Sequence, residues 1–202
     1  LEASLRRFAH YDYWEDKVRR SVLLDAQADL LVYGMGETAS RAIAARLASG
    51  TPVDQITDVR GTCFAGRHPG QCAYPMVEVP SFETVCADKR AYAQANQVEY
   101  EEHDAVRGKA ILQKHGDRLL IANSPALPLT TAELDALSRL PYNRTWHPSY
   151  DADGGVPAIE EVKFSITANR GCYGECAFCA LTFHQGRIVR RRSQIVDAAA
   201  RL

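Results

Sequence analysis

An α/β fold is predicted for roughly the first 140 residues, and three observations predict it. Leu30–Tyr33 and Arg118–Ala122 are apolar runs of strand length. Longer stretches with helical spacing of apolar residues lie between and after them. The composition, 46% hydrophobic and 24% charged, is that of an ordinary globular domain able to bury a core. Strands alternating with helices favour a parallel sheet covered by helices.

The elements follow in order. Leu5, Phe8, Trp14, Val18 and Val22 recur at helix-like steps and predict a helix from Ala3 to Ala26. Leu30–Tyr33 is the first strand. Gly34-Met35-Gly36-Glu37 turns the chain into a helix over Thr38–Leu47, which stops near Gly50. A Gly- and Pro-rich stretch from Pro52 to Pro80 holds one weak strand at Gln55–Val59. Phe82 to Lys114 is predicted as a long helix, interrupted near Gly108, and Arg118–Ala122 as the second strand. Thr130 and Glu133 form a capping box for a helix over Ala132–Arg139, which Pro141 ends.

The composition of residues 141–157 shifts to Pro, Asn, Asp, Gly and Tyr, as in a linker between domains. Val162, Phe164 and Ile166 alternate, which predicts a strand over Ile159–Thr167. A helical pattern starts at Gln194. The expected domains are therefore 1–140, a linker over 141–157, and the beginning of a second domain over 158–202. Too few residues follow position 157 for a complete (β/α)₈ barrel, which needs about 200. The chain opens on Leu1 and its only methionines are Met35 and Met76, so a piece of a longer protein is expected.

With 24 basic and 25 acidic residues, the formal charge is −1. That balance argues against a general binder of nucleic acids or membrane surfaces. No apolar run approaches the roughly 20 residues needed to span a bilayer, and no signal peptide opens the chain. A reducing, cytoplasmic setting is expected. Six cysteines are too few for a disulfide scaffold, and clustered cysteines in such a setting point to metal.

Three of the six are clustered. Cys172-Tyr173-Gly174-Glu175-Cys176-Ala177-Phe178-Cys179 is a C-x₃-C-x₂-C run. An extended chain keeps the first pair within roughly 14 Å and the second within roughly 10 Å, so three sulfurs can turn to one centre. A [4Fe–4S] cubane usually takes four cysteines; three leave one iron open to a small molecule. His184, five residues past Cys179, keeps a second reading open: a Cys₃His zinc site stabilising a binding module. In that reading Arg187, Arg190, Arg191 and Arg192 contact an anionic partner. The plainer reading of these arginines is a solvated turn, and nothing selects a nucleic acid.

The spacing, with an aromatic before the last cysteine, resembles the radical S-adenosylmethionine (radical SAM) superfamily. More narrowly, the chain resembles the YgiQ-type (UPF0313) radical SAM proteins. The stretches that carry this likeness are Arg7-Phe8-Ala9-His10-Tyr11-Asp12-Tyr13-Trp14, Asp16-Lys17-Val18-Arg19-Arg20-Ser21, Asp58-Val59-Arg60-Gly61-Thr62, Pro125-Ala126-Leu127-Pro128-Leu129-Thr130-Thr131 and Arg170 through Arg187. The resemblance implies a Rossmann-like, cobalamin-binding-type N-terminal domain, followed by the start of a radical SAM (β/α) barrel. It implies that Cys172, Cys176 and Cys179 bind a [4Fe–4S] cluster, and that Phe178 lies by the adenine of S-adenosylmethionine. Reductive cleavage would yield a 5′-deoxyadenosyl radical, fed by an electron donor of the flavodoxin or ferredoxin type, on a substrate that the resemblance leaves open. The Asp-x-His-x-x-Gly motif that ligates cobalamin is absent, so no cobalamin is expected.

Other candidates have plainer readings. Gly34-Met35-Gly36-Glu37-Thr38-Ala39, with Asp54 beyond it, outlines a dinucleotide fingerprint, but a tight strand–helix turn is the plainer reading. Cys63, Cys72 and Cys86 lack ligand spacing and are expected to be incidental thiols. His68 sits in a turn. Tyr11, Tyr13 and Trp14 are expected in the core. Glu99, Glu101, Glu102 and Asp104 show no paired geometry, and no acid–base role is expected of them.

Overall fold

The computed structural model describes residues 1–199. The chain divides into two compact units: residues 1–128 with 171–188, and residues 129–170 with those from 189 onward.

The first unit opens with a four-residue helix, α1 (Glu2–Leu5), and a two-stranded antiparallel hairpin, β1 (His10–Asp12) and β2 (Lys17–Arg19). The helix expected from Ala3 to Ala26 is therefore broken. Asp12 Oδ1 accepts the backbone N–H groups of Trp14 and Glu15, an Asx turn that competes with helix, and Asp16 has φ +47°. The Ser21 side chain then caps the short helix α2 (Val22–Asp25). Trp14 is 91% exposed and Tyr13 78% exposed at the hairpin tip, so this aromatic group is not core.

Five further strands follow: β3 (Leu30–Val32), β4 (Thr62–Gly66), β5 (Met76–Val79), β6 (Ala110–His115) and β7 (Arg118–Ala122). They form one sheet in the order β3-β4-β7-β6-β5. The sheet is mixed, not the parallel sheet expected. β5 and β6 pair in parallel; the other three pairings are antiparallel. β6 and β7 are joined by a two-residue turn at Gly116-Asp117, which only an antiparallel pair allows.

Side chains alternate across the strands. Cys63, Ile111, Leu120 and Ala122 face one core with Phe8, Leu23 and Tyr33; Phe64, Leu112 and Ile121 face the other way. On the first face lie α4 (Phe82–Ala87) and α5 (Lys89–Glu101), contributing Val85, Ala91 and Ala95. Asp88 ends the first helix and caps the second, its side chain accepting from the Arg90 amide. The expected long helix from Phe82 to Lys114 is thus two helices and part of strand β6. The helix α3 (Glu37–Ala48) packs on β3 through Ala39, Ala42 and Ile43. The weak strand expected at Gln55–Val59 is a single 3₁₀ turn, Val53–Gln55, followed by irregular chain.

The first unit also holds α8 (Leu181–Gln185); the second contains α6 (Thr131–Ser138), α7 (Ala158–Val162), the short pair β8 (Asn169–Arg170) and β9 (Arg190–Arg191), and α9 (Ile195–Ala199). The capping box at α6 forms as expected: Thr130 Oγ1 accepts from the Glu133 amide and Glu133 accepts from the Thr130 amide. The strand expected over Ile159–Thr167 is instead the helix α7 and irregular chain. Val162 and Phe164 are exposed there, so no buried face enforces their alternation. The helix expected from Gln194 starts at Ile195, and its residues beyond 199 lie outside the described residues. No helix among the described residues is long and apolar enough to cross a membrane.

Candidate functional site

The three-cysteine loop belongs to the first unit. It begins at Gly171, whose φ of +88° suits glycine alone. Two hydrogen bonds close its base. The Gly171 amide donates to Gln185 Oε1 (3.0 Å), the Cys172 amide donates to the Gly186 carbonyl (3.0 Å), and α8 lies between. Inside the loop, the Gly174 amide lies 3.4 Å from Cys172 Sγ, and the Cys179 amide donates to the Cys176 carbonyl. A β-carbon at Gly174 would stand 3.4 Å from Cys172 Sγ and 3.7 Å from Cys176 Sγ. The first two sulfurs therefore flank this glycine.

All six cysteines are free thiols; Cys172 and Cys179 are half-buried and Cys176 is exposed. The donor set suits a soft metal centre: three free thiols on one short loop, one of them already receiving an amide. Among the described residues no three His, Cys, Asp or Glu side chains are gathered closely enough to hold a metal ion. Phe178 is 92% exposed and Tyr173 84% exposed, so the loop's aromatics face solvent.

Among the described residues His184 forms no group with the cysteines that could hold a metal ion. Its Nδ1 lies 3.0 Å from Ser4 Oγ, the same oxygen that accepts the Gly34 amide. The Cys₃His zinc reading gains no support. The same bond bears on the glycine turn, because the Gly34 amide is occupied by a buried serine. Gly36 is there for close approach: a β-carbon would stand 2.8 Å from Val32 Cγ1. Gly36→Ala is expected to destabilise the first unit by about 1–3 kcal/mol through overpacking, read as a shift in the urea midpoint.

The remaining candidates find structural places. His68 caps the 3₁₀ turn Pro69–Gln71 together with Gln71. Cys63 is buried, and burial pushes its thiol up to about 12; Cys72 and Cys86 are also raised by burial. Arg190 and Arg191 are exposed on β9. The Arg192 side chain is buried, 4.0 Å from Asp135.

Arg187 has a more specific place. Its Nη1 and Nη2 donate to the carbonyls of His103 (3.0 Å) and Tyr100 (2.7 Å), its Nε pairs with Glu175, and its guanidinium lies 4.3 Å from the centre of the Tyr100 ring. Tyr100 also donates its hydroxyl to Glu175. That hydroxyl, with Arg187, holds the Glu175 carboxyl below the usual glutamate range.

The same unit holds a buried polar group, Arg7, Glu99 and His103, to which the sequence assigned no role. Arg7 is 2% exposed, spans the rings of Phe8 and Tyr33, and donates to the Ser4 carbonyl. Glu99 is 7% exposed; burial pushes its carboxyl up to about 7, and the Arg7 charge works against that rise. His103 is neutral, pushed down to about 3 by burial and then by Arg7 and Arg187, and its Nε2 donates to the Thr182 carbonyl (3.0 Å). A signal for Glu99 was present: Ala91, Ala95 and Glu99 recur every four residues, which puts a carboxyl on the buried stripe of α5.

The fold and the cysteine loop lead to a class of protein. The chain belongs to the radical SAM N-terminal family, whose model matches residues 1–165. Within it, the chain is similar to UPF0313 proteins. It is 53% identical over 194 residues to one from Clostridium botulinum (strain 657 / Type Ba4), covering 96% of this chain and 30% of the relative. One from Methanocella arvoryzae is 53% identical over 194 residues, 96% of this chain and 32% of the relative. One from Clostridium perfringens (strain 13 / Type A) is 49% identical over 201 residues, 98% of this chain and 30% of the relative. A match of 194 residues in a chain of 202 necessarily takes in the cysteine loop. The chain spans about a third of the length of these relatives. No solved structure matches it.

Proposed function

We propose that the chain carries the cluster loop of a radical SAM enzyme. One observation carries this reading: a C-x₃-C-x₂-C loop of free thiols in a chain whose residues 1–165 match the radical SAM N-terminal family. Cys172, Cys176 and Cys179 would each give one thiolate to a [4Fe–4S] cluster. When bound, such a cluster with three cysteine ligands supplies an open iron for S-adenosylmethionine and the electron that cleaves it to methionine and a 5′-deoxyadenosyl radical.

The chain's own residues prepare the site. The Gly174 amide, 3.4 Å from Cys172 Sγ, gives that sulfur a hydrogen-bond donor within the loop. Gln185 and Gly186 close the base of the loop on α8. Phe178, free of packing, is available to stack on the adenine. The reading also carries an electron donor of the flavodoxin or ferredoxin type and a cytoplasmic setting.

The test is metal content after anaerobic reconstitution of the protein at the full length of its relatives. About four irons and four sulfides are expected per chain, falling to background in the Cys172→Ala, Cys176→Ala, Cys179→Ala variant. Stoichiometric zinc without sulfide would overturn the reading. A positive result licenses an assay for 5′-deoxyadenosine.

A further inference from the structure

We propose that Tyr100 and Arg187 are positioning residues for the three-cysteine loop: they grip Glu175 from the end of α5 and so fix where Cys176 stands, an inference that rests on the cluster reading of that loop.

Glu175 is the residue immediately before Cys176, and its φ is +47°. A side chain other than glycine is strained in that region, so the conformation persists only if something holds it. Its two carboxylate oxygens are divided between two holders. Oε2 accepts the Tyr100 hydroxyl and Oε1 meets Arg187 Nε. The local chain does not supply this grip, because Tyr100 lies 75 residues away.

The holders are themselves fixed. Tyr100 is on the last turn of α5, where its carbonyl already accepts the His103 amide (3.3 Å), and the His103 carbonyl lies just past the helix end. Arg187 donates to both of those carbonyls and still presents Nε to Glu175. A planar fork with five donors can do this; an ammonium cannot. The α5 helix is anchored in turn by Ala91 and Ala95 against the sheet. Position thus passes from sheet to α5, from α5 to Glu175, and from Glu175 to the adjoining cysteine.

The Tyr173 and Phe178 side chains, both largely exposed, make chymotrypsin a reporter of loop opening, and iodoacetamide reports on exposed Cys176. Tyr100→Phe, Glu175→Gln and Arg187→Lys are each expected to raise metal-free cleavage at Tyr173 and Phe178, and alkylation of Cys176, by about tenfold. The urea midpoint of Tyr100→Phe should stay near that of the parent, which separates loop release from unfolding. In reconstituted full-length protein, the same variants should lose iron to a chelator about tenfold faster. Loop rates equal to the parent's in Tyr100→Phe and Glu175→Gln would overturn the grip. Faster loop opening with unchanged iron release would overturn its role in positioning. A parent that takes up no cluster would overturn the cluster reading and, with it, the positioning role; the metal-free rates would then still report whether the grip exists.

Discussion

Phe8→Ala is expected to destabilise the first unit by about 3–5 kcal/mol, a large part of the stability of a domain this size. Phe8 is fully buried among Leu23, Cys63, Leu120 and other residues of the core on the α4–α5 face of the sheet. Truncation removes its transfer energy and leaves a cavity that rigid neighbours on β4 and β7 cannot fill. It also removes one of the two rings that Arg7 spans. The effect should reach the site, because Phe8 anchors the segment that carries Ser4, and Ser4 meets both Gly34 and His184. Urea unfolding measures it. A loss below about 1 kcal/mol would mean that the N-terminal segment is not part of the core.

Phe8 also shows where sequence reasoning holds and where it stops. Its burial was legible, but the helix assigned to it was not real. Leu5, Phe8, Val18 and Val22 satisfy a helical period, yet Asp12 and Asp16 build a turn between them that periodicity does not weigh. The strand at Arg118–Ala122 was legible because its apolar run is bounded by Gly116-Asp117 and an irregular segment. β4 and β5 were not, since each is short and set in Gly- and Pro-rich chain, where their strand character comes from their neighbours in the sheet. Three antiparallel pairings replace the expected parallel ones for the same reason: pairing direction is a property of connections, and three of the five strands, β4, β5 and β6, were not recognised.

The site divides in a similar way. Three cysteines at close spacing are a local signal, and local signals survive in a sequence. Tyr100, Arg187 and Glu175 meet across 75 and 87 residues, and no spacing rule reaches that far. Arg187 in particular looked like one member of a basic run. The structure separates it from Arg190 and Arg191, which remain exposed on β9. Sequence composition treats these arginines alike; desolvation and hydrogen-bond geometry do not.

Arg7→Met is expected to destabilise the first unit by about 3–5 kcal/mol at pH 8–9, and by less near pH 6. The difference comes from Glu99. Its folded value of about 7 lies above the ordinary 4.5, so folding favours the protonated carboxyl. That contribution is fully present below pH 4.5 and is lost as pH rises through 7. In the parent, Arg7 limits the loss by favouring the carboxylate. In the variant the folded value rises further, and stability goes on falling above pH 7. At low pH the penalty shrinks to the lost bond to the Ser4 carbonyl and the lost ring contacts, about 1–3 kcal/mol. The histidines act in the opposite sense. His103, pushed to about 3, and His115, pushed to about 4, contribute stability above pH 6.5 that is lost as pH falls. His115 tilts parent and variant alike and cancels in the difference; His103 is itself held down by Arg7 and rises in the variant, so the comparison is made at pH 6 and above, where burial, the larger cause, keeps it neutral in both. Adding Glu99→Gln to Arg7→Met should remove the alkaline slope, because no carboxyl remains to titrate. An Arg7→Met penalty that is constant from pH 6 to 9 would show that Arg7 acts through packing alone, with its charge not felt at Glu99.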